Sequence, residues 1–401
     1  MSNCEKWAGG DICGICASGY VGTHPLDEDA WSGSSRYFFT EIQSRGGLHS
    51  TIGGEIPFAQ KLFYALLNAT SSKVMTTTRM YSDPRYRNAL SRYLTPLIKQ
   101  TDFPENSVSI QLGSLYNLNN AFPKHVFRTS YNDGNAITGI NSPFFPKKYF
   151  SAKRIDAIVR YEAEVANGLD CVFTMSEFLR QSFIHDYSIP GYKVICIGCG
   201  LNIPYESVQE MFSQDLSVKD YNSGEILFVA KEFYRKGGNT VIKAFRNVRS
   251  VLPDIKLHIV GPAQPVDEFA DEQGVIWHGF LNRNIEQDHI TFKELYRKCS
   301  LFVLPAMHEA FGIAPIESMA SGISSIVTGS WALKESVPEG EVGENVEAGN
   351  VEELTEKMRS LLTNPDKLRK YGMASQQRVA ENYTWRNVVN RLETALKARA
   401  K

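Results

Sequence analysis

The sequence lacks long apolar runs and an excess of charge of either sign. No stretch of its 401 residues approaches the roughly 18 consecutive apolar residues that a membrane-spanning helix needs. Residues 1–10 contain no apolar core of a secretory signal. The 43 Lys and Arg residues nearly balance the 44 Asp and Glu residues, so no overall field draws the chain to DNA, RNA or anionic lipid. We therefore expect a cytoplasmic protein with no nucleic-acid partner.

Cysteine is too sparse to build a disulfide framework. Seven cysteines, an odd number, are scattered through the chain, which favours a reducing compartment. Cys13 and Cys16 form a C-x-x-C, but no second pair or nearby histidine pair completes a zinc site. Because both lie in the short apolar segment 12–17, we interpret them as core residues of a strand rather than as a redox or metal site.

Short apolar segments alternate with helical ones along the whole chain, which is typical of parallel βαβ units in an α/β protein. The length suits two domains. The polar stretch 205–224 interrupts the alternation, so we predict a doubly wound, Rossmann-like domain over 1–204, a linker over 205–224 and a second such domain over 225–380. A helix over 381–401 ends the chain, and packing back on the first domain is one option for it. The predicted strands are 12–17, 108–112, 125–130, 171–174, 193–197, 226–230, 256–260, 275–278, 301–304 and 325–328.

The segment 301–328 predicts a buried strand, a loop and a short helix. Residues 301–304 are apolar on both faces, as a central parallel strand requires. Pro315 suits the first turn of a helix, and Gly322 ends that helix. The loop then lies at the carboxyl end of a parallel strand, where open α/β sheets bind ligands, and the free amides around 313–316 would attract phosphate.

Two carboxylates flank this turn, Glu309 in the loop and Glu317 in the predicted first helical turn. Either could hold the paired hydroxyls of a ribose or a hexose. The alternative is that Glu317 only complements the helix dipole while Glu309 is solvated.

The segment 309–317, E-A-F-G-I-A-P-I-E, resembles the motif of retaining glycosyltransferases of family 4, which have the GT-B fold. The resemblance implies two Rossmann-like domains facing a cleft, with the donor nucleotide on the C-terminal domain. It also implies that Glu317 binds the donor ribose and that Glu309 approaches the donor sugar. The backbone at Phe311, Gly312 and Ile313 would contact sugar hydroxyls and phosphate.

The segment 227–237, L-F-V-A-K-E-F-Y-R-K-G, resembles the strand of that family that is followed by Arg and then by Lys-Gly. The resemblance implies that Lys231 and Lys236 hold the donor diphosphate and offset charge on the leaving group. Lys231 stands where Arg is usual and lacks its bidentate fork, so Arg235 is a candidate to compensate. A solvated basic turn is the alternative.

Weaker resemblances surround these motifs. Gly261 and the pair Phe280 and Leu281 are expected beside the nucleotide. Ser32 and Gly33 resemble the family's glycine loop, which contacts the donor from the first domain, although N-capping by Ser32 or Ser34 is a rival reading.

The family commonly has a His after the strand predicted at 125–130, but this chain has Tyr131, Asn132 and Asp133 there. Tyr131 and Asp133 are therefore candidate sugar or acceptor contacts, or parts of a capped loop. Residues 27–29, D-E-D, match the metal-binding D-x-D of the other major glycosyltransferase fold, but GT-B enzymes use side-chain cations, and we predict no metal site.

The predicted function is retaining, metal-independent transfer of a hexose-type sugar from a nucleoside-diphosphate sugar, with UDP or GDP expected, to an unidentified glycan, glycolipid, protein or small molecule. No cofactor beyond this donor is expected. An epimerase or phosphorylase on the same fold, or a non-catalytic sugar-nucleotide-binding protein, is the alternative. Residues 144–154 interleave aromatic and basic side chains, which suits either a membrane acceptor or a solvated helix entry.

Overall fold

The structure is a computed structural model that describes residues 7–17, 22–28, 30–282 and 285–399. Its contacts divide the chain into two units, Met1–Asn202 with Thr384–Lys401, and Ile203–Tyr383. Each unit contains a six-stranded sheet with helices between its strands. Among the helices that are described, none combines the length and apolarity needed to cross a bilayer.

The first unit is built on a parallel sheet with the order β2-β1-β3-β4-β5-β6. Its strands are β1 (Asp11–Ala17), β2 (Leu48–Gly54), β3 (Ser107–Leu112), β4 (Phe127–Asn132), β5 (Cys171–Thr174) and β6 (Val194–Cys196). Its helices are α1 (Ser34–Ser44), α2 (Phe58–Leu67), α3 (Lys73–Ser82), α4 (Pro84–Gln100), α5 (Ala136–Ile140), α6 (Ala152–Gly168) and α7 (Glu177–His185). The order reverses at β1, and right-handed crossovers then place helices on both faces of the sheet.

The second unit repeats this plan with the order β12-β11-β10-β7-β8-β9, again parallel. Its strands are β7 (Glu225–Val229), β8 (Lys256–Val260), β9 (Val275–Trp277), β10 (Leu301–Leu304), β11 (Ser324–Thr328) and β12 (Gly343–Val346). The helices after β6 are α8 (Tyr205–Ser213), α9 (Gly238–Arg249), α10 (Glu286–Lys298), α11 (Ile313–Ala320), α12 (Trp331–Ser336), α13 (Val351–Leu362), α14 (Pro365–Asn382) and α15 (Trp385–Arg399). The predicted class, two doubly wound α/β domains, is confirmed.

Burial follows the apolar pattern of the sequence. The apolar side chains of α9 that recur at helical spacing, Val241, Ile242, Phe245 and Val248, are all fully buried. Cys13 and Cys16 are buried in β1, and burial raises the pKa of these thiols to about 11 and about 12. The pair therefore behaves as core, since a reactive thiol needs a lowered pKa.

The segment predicted as a linker, 205–224, has structure of its own. It contains α8 and belongs by its contacts to the second unit. Leu216 is buried, and the Gln376 amide donates to Met211 O at 2.8 Å. The sequence did not predict α8, because a helix with one buried side chain, Val208, shows little hydrophobic periodicity.

The final helix, α15, packs with the first unit. The Trp385 ring lies 5.9 Å from the Phe38 ring, and a Cβ on Gly200 would lie 2.5 Å from the Trp385 ring. Arg391 Nε donates to Ile197 O at 2.7 Å, and Arg45 Nη2 donates to Arg386 O at 3.0 Å. The first unit is thus assembled from two separate parts of the chain.

Tyr131 does not lie in the loop where a ligand contact was predicted. Strand β4 continues to Asn132, and the Tyr131 side chain is fully buried between the rings of Phe38 and Trp31, with centroids 4.8 and 5.3 Å away. Its hydroxyl donates to Gly198 O at 2.6 Å. The expected sugar or acceptor contact does not fit this burial, because a satisfied hydroxyl allows a Tyr to serve as a core residue.

Tyr131→Phe should lower the free energy of unfolding by about 1 kcal/mol, because Gly198 O loses its partner. Donor binding should not change. Thermal unfolding and ligand titration measure the two effects, and Tyr192→Phe, at an exposed position in the same unit, is the control. Weakened ligand binding with unchanged stability would restore Tyr131 as a contact.

Candidate functional site

The candidate site lies in the second unit where the strand order reverses. Strands β7 and β10 are neighbours there, with Leu301 opposite Ile226. The loops after them, 230–237 and 305–312, run to the first turns of α9 and α11. In a doubly wound sheet this edge forms a ligand-binding crevice, and the two motifs of the sequence meet at it.

The turn after β7 is fixed to the loop after β10. Gly237 has φ +80°, and a Cβ there would lie only 2.2 Å from Pro305 O. The Met307 N–H donates to Arg235 O at 2.9 Å, and Arg235 Nη1 donates to His308 O at 2.9 Å. Arg235 also bonds Glu232. It therefore joins the two loops, which differs from the expected role of assisting Lys231.

Lys236 and Glu309 form an ion pair across these loops. Their side chains are only 15% and 12% exposed. Burial and the neighbouring Arg235 guanidinium lower the pKa of Lys236 to about 7, whereas contact with the Glu309 carboxylate favours the protonated form. The pair places one cation and one anion together at the carboxyl edge of the sheet.

Lys231 lies near the start of the loop 230–237, which follows β7. Its ammonium sits 4.4 Å from the centroid of the Phe280 ring, a cation–π distance. Gly261 allows this arrangement, since a Cβ there would lie 2.1 Å from Ala230 O, and its N–H donates to Gly279 O at 2.8 Å. The structure thus joins the segments after β7, β8 and β9, with Leu281 following Phe280 in the last of them.

Gly312 is the N-cap of α11, with φ +90° and no side-chain cap. A Cβ at Gly312 would lie 2.6 Å from Leu333 Cδ2 and 3.3 Å from Glu309 Cγ. The helix begins at Ile313, at the start of the range 313–316 where free amides were predicted, and its first amides lack a side-chain cap, which favours an anion there. Phe311 is buried against Tyr383, with ring centroids 6.4 Å apart.

Glu317 is the fifth residue of α11 and is buried, so it lies in the second helical turn and not in the first as predicted. The Tyr296 hydroxyl on α10 donates to its Oε2 at 3.2 Å. A cavity of about 190 Å³ between α8 and α10 has Tyr296 in its wall, but its lining does not include Lys236, Glu309 or Glu317. We therefore locate the candidate site by the Glu309 and Glu317 carboxylates and not by this cavity.

In the first unit the predicted glycine loop has an unusual backbone. Trp31, Ser32 and Gly33 have successive φ values of 52°, 55° and 90°, a conformation that side chains other than Gly adopt at a cost. Gly33 itself is the N-cap of α1, without a side-chain cap, so neither Ser32 nor Ser34 caps the helix. Asn202 Nδ2 donates to Ser32 O at 3.1 Å and to Ser34 Oγ at 2.8 Å.

Asp133 supports this loop. Burial raises its pKa, although the Trp31 indole and the N–H of Gly134 donate to the carboxylate.

In the D-x-D segment, Asp29 lies outside the described residues. Asp27 accepts from Thr23 Oγ1 at 2.6 Å and Glu28 from Arg36 at 2.7 Å, so both of these carboxylates have side-chain partners.

Sequence reasoning missed several partners of the candidate site residues. Asn202 lies 170 residues from Ser32, and Tyr296 lies on a helix whose spacing predicts only a core face. No local pattern gives such a partner away. The three successive left-handed residues had only Gly33 as a signal, because Trp and Ser do not predict positive φ.

Residues 212–378 match the family model for Glycosyl transferases group 1. A glycogen synthase of Mycobacterium tuberculosis is 27% identical over 167 residues, which cover 41% of this chain and 40% of that relative. The alignment therefore spans less than half of the relative's length. The loops after β7 and β10, with Lys231, Lys236, Glu309 and Glu317, lie within the matched segment.

Solved structures resemble both units. Sucrose-phosphate synthase from Thermosynechococcus elongatus superposes with a TM-score of 0.66 at 16% identity, covering 97% of this chain and 98% of that one. Anabaena HepE, solved with UDP and glucose, gives a TM-score of 0.56 at 14% identity, covering 98% and 100%. At these identities the likeness concerns the fold, and it is the predicted GT-B fold.

Gly237→Ala should destabilise the second unit more than Gly340→Ala. Both glycines have nearly the same positive φ, +80° and +77°, but nothing lies within 4 Å of a Cβ at Gly340. Each substitution should cost about 1–2 kcal/mol for the left-handed backbone, and Gly237→Ala at least about 1 kcal/mol more for the contact with Pro305. Unfolding midpoints in urea measure the difference. Equal losses would contradict the close packing of the two loops.

Proposed function

We propose that this protein, whose residues 212–378 belong to the glycosyl transferases group 1 family, is a retaining glycosyltransferase. It moves a hexose-type sugar from a nucleoside-diphosphate sugar, UDP- or GDP-linked, to an acceptor hydroxyl. The observation that carries this proposal is the contact between Lys236 and Glu309 at the switch point of the second sheet. This contact places a lysine that can bind phosphate beside a carboxylate that can bind sugar hydroxyls.

In the proposed reaction, the bond between the sugar's anomeric carbon and the donor phosphate oxygen breaks. The acceptor oxygen bonds to the same carbon on the same face, and the acceptor proton passes to the departing phosphate oxygen. No protein nucleophile is required. Lys231 and Lys236 offset the charge that grows on the leaving diphosphate, and this electrostatic stabilisation is commonly a large part of catalysis.

The remaining site residues hold the donor. The first amides of α11, which have no side-chain cap, suit a phosphate. Glu317, held by the Tyr296 hydroxyl, suits the ribose hydroxyls, and the half-exposed Phe280 ring lies where the base would be. Gly33 and its loop, with Ser32, are proposed to contact the donor or acceptor from the first unit. A neighbour solved with UDP and glucose supports a UDP-sugar as the first donor to try.

Thermal-shift screening against UDP-, GDP- and ADP-sugars identifies the donor, because a ligand that binds only the folded state raises the unfolding temperature. With that donor, Glu309→Gln should lower kcat by about 100-fold or more. The unfolding temperature should fall only modestly, because the amide keeps the shape of the carboxylate and Lys236 can lose its proton once its partner is gone. Radiolabelled sugar transfer to acceptors or to water measures turnover.

Glu210→Gln is the matched control, because Glu210 pairs with Lys293 at 2.8 Å on the exposed surface of the same unit. It should leave kcat unchanged. Equal loss of stability and turnover in Glu309→Gln would count against the assigned role. An altered sugar nucleotide released without acceptor would indicate an epimerase, turnover without nucleotide a phosphorylase, and binding without any hydrolysis or transfer a non-catalytic protein.

The lowered pKa of Lys236, about 7, predicts that nucleoside-diphosphate binding takes up protons at about pH 8. Burial leaves part of the unliganded Lys236 neutral despite its contact with Glu309, and the bound diphosphate favours the ammonium. Affinity should accordingly fall with rising pH above about 7, by up to about tenfold per pH unit. Calorimetry in buffers of different ionisation enthalpy measures the uptake.

Lys236→Arg should abolish this proton uptake, because guanidinium keeps its charge throughout the range. Above about pH 8 the phosphates themselves are fully ionised and contribute no proton. The same uptake in Lys236→Arg as in the unaltered protein would assign it to another group.

A further inference from the structure

Helix α2 exposes its apolar side chains to an unusual degree. Phe58 is 79% exposed, Leu66 68% and Phe63 55%, and Leu62 and Leu67 are also exposed. None of the ten residues of α2 is buried. Scattered single apolar residues on a surface are ordinary, but a contiguous group of this size indicates an interaction site.

The helix is oriented with its larger apolar face away from the core. At 100° per residue, Phe58, Leu62, Phe63, Leu66 and Leu67 fall within an arc of about 180°. The residues that pack against the core of the first unit are Tyr64 and Ala65, on the opposite side. Burial in this fold therefore does not explain the apolar face.

Two segments of the first unit, one containing α2 and one in contact with its end, carry basic residues and no acidic ones. Residues 56–82 contain three basic residues, Lys61, Lys73 and Arg79, and no Asp or Glu. Residues 134–155 contain four, Lys147, Lys148, Lys153 and Arg154, and again no Asp or Glu. Both segments are therefore locally positive, although the net charge of the whole chain is close to zero.

The structure brings the two segments together. Arg154 Nη2 bonds Asn68, the C-cap of α2, and donates to Arg79 O at 2.7 Å. Phe144 is 45% exposed in the second segment, and Lys147 and Lys148 beside it are exposed. Lys61 pairs with Glu55 and Arg154 with Asp83, while Lys73, Lys147, Lys148 and Lys153 of the two segments are exposed.

We propose that α2, with Phe144 and the surrounding lysines, docks on an anionic lipid bilayer. Exposed Phe and Leu side chains would enter the boundary between headgroups and acyl chains, and the lysines would face lipid phosphates. Charge complementarity selects this occupant, because the two segments carry exposed lysines of one sign, which attract anionic headgroups and would repel a second copy of the same surface. The surface belongs to the first unit and does not depend on the donor site proposed above.

Co-sedimentation of the full-length protein with vesicles tests this docking. We expect binding to phosphatidylcholine vesicles that contain phosphatidylglycerol, and binding about tenfold weaker without the anionic lipid or at high salt. Phe58→Glu/Leu66→Glu should weaken binding by at least about tenfold, and Lys147→Gln/Lys148→Gln by several-fold. Val218→Glu/Val251→Glu, two exposed apolar residues of the second unit, is the matched control and should bind as the unaltered protein does.

Phe63→Trp gives an independent readout that leaves the charge of the surface intact, and its emission should shift to the blue when anionic vesicles are added. No binding by the unaltered protein, or equal binding by Phe58→Glu/Leu66→Glu, would overturn the proposal. So would a dimer in solution that Phe58→Glu/Leu66→Glu converts to a monomer, because a second copy would then cover the face. The thermal shift with nucleotide, measured on the same variants, keeps this outcome separate from the donor site.

Discussion

The pairing of β7 with β10 is the constraint on which the site depends. Residues 231–236 and 309–317 are separated by some seventy positions in sequence, and they meet because two parallel strands end side by side. Gly237 then permits a backbone approach to Pro305 that any side chain would block. The sheet topology brings the two loops side by side, and Gly237 allows their backbones to pack in close contact.

The electrostatics of the site follow from that closeness. Removing Lys236 from water favours its neutral form, and Glu309 is the nearby anion that offsets this cost. A diphosphate arriving at the uncapped amides of α11 would offer Lys236 a second anion, so donor binding and the position of the Glu309 carboxylate are coupled. The same residue pair would then respond to the ligand at both the phosphate and the sugar.

The sequence predicted the central strands and the edge strands β6 and β9, but missed the edge strands β2 and β12. Strands β5, β8 and β10 were predicted with their observed ends because buried parallel strands are continuous apolar runs. The edge strands β2 and β12, with the sequences L-H-S-T-I-G-G and G-E-N-V, lack that signal. Among the site residues, Lys236 and Glu309 were found from motifs, whereas Tyr131 was misplaced because β4 runs two residues further than its apolar pattern. Partners such as Asn202 and Tyr296 depend on tertiary contacts that spacing does not encode.

The packing of Trp385 on Phe38 and Gly200 bears on how the protein is made. Once residues 1–202 have left the ribosome, every strand of the first sheet is available, yet the surface that receives Trp385 is still uncovered. The second unit, which is continuous in sequence, can complete its own core earlier than the first. The first unit can therefore be completed only after the second unit has been synthesised, and a chain truncated before α15 would expose an apolar surface that chaperones and proteases recognise.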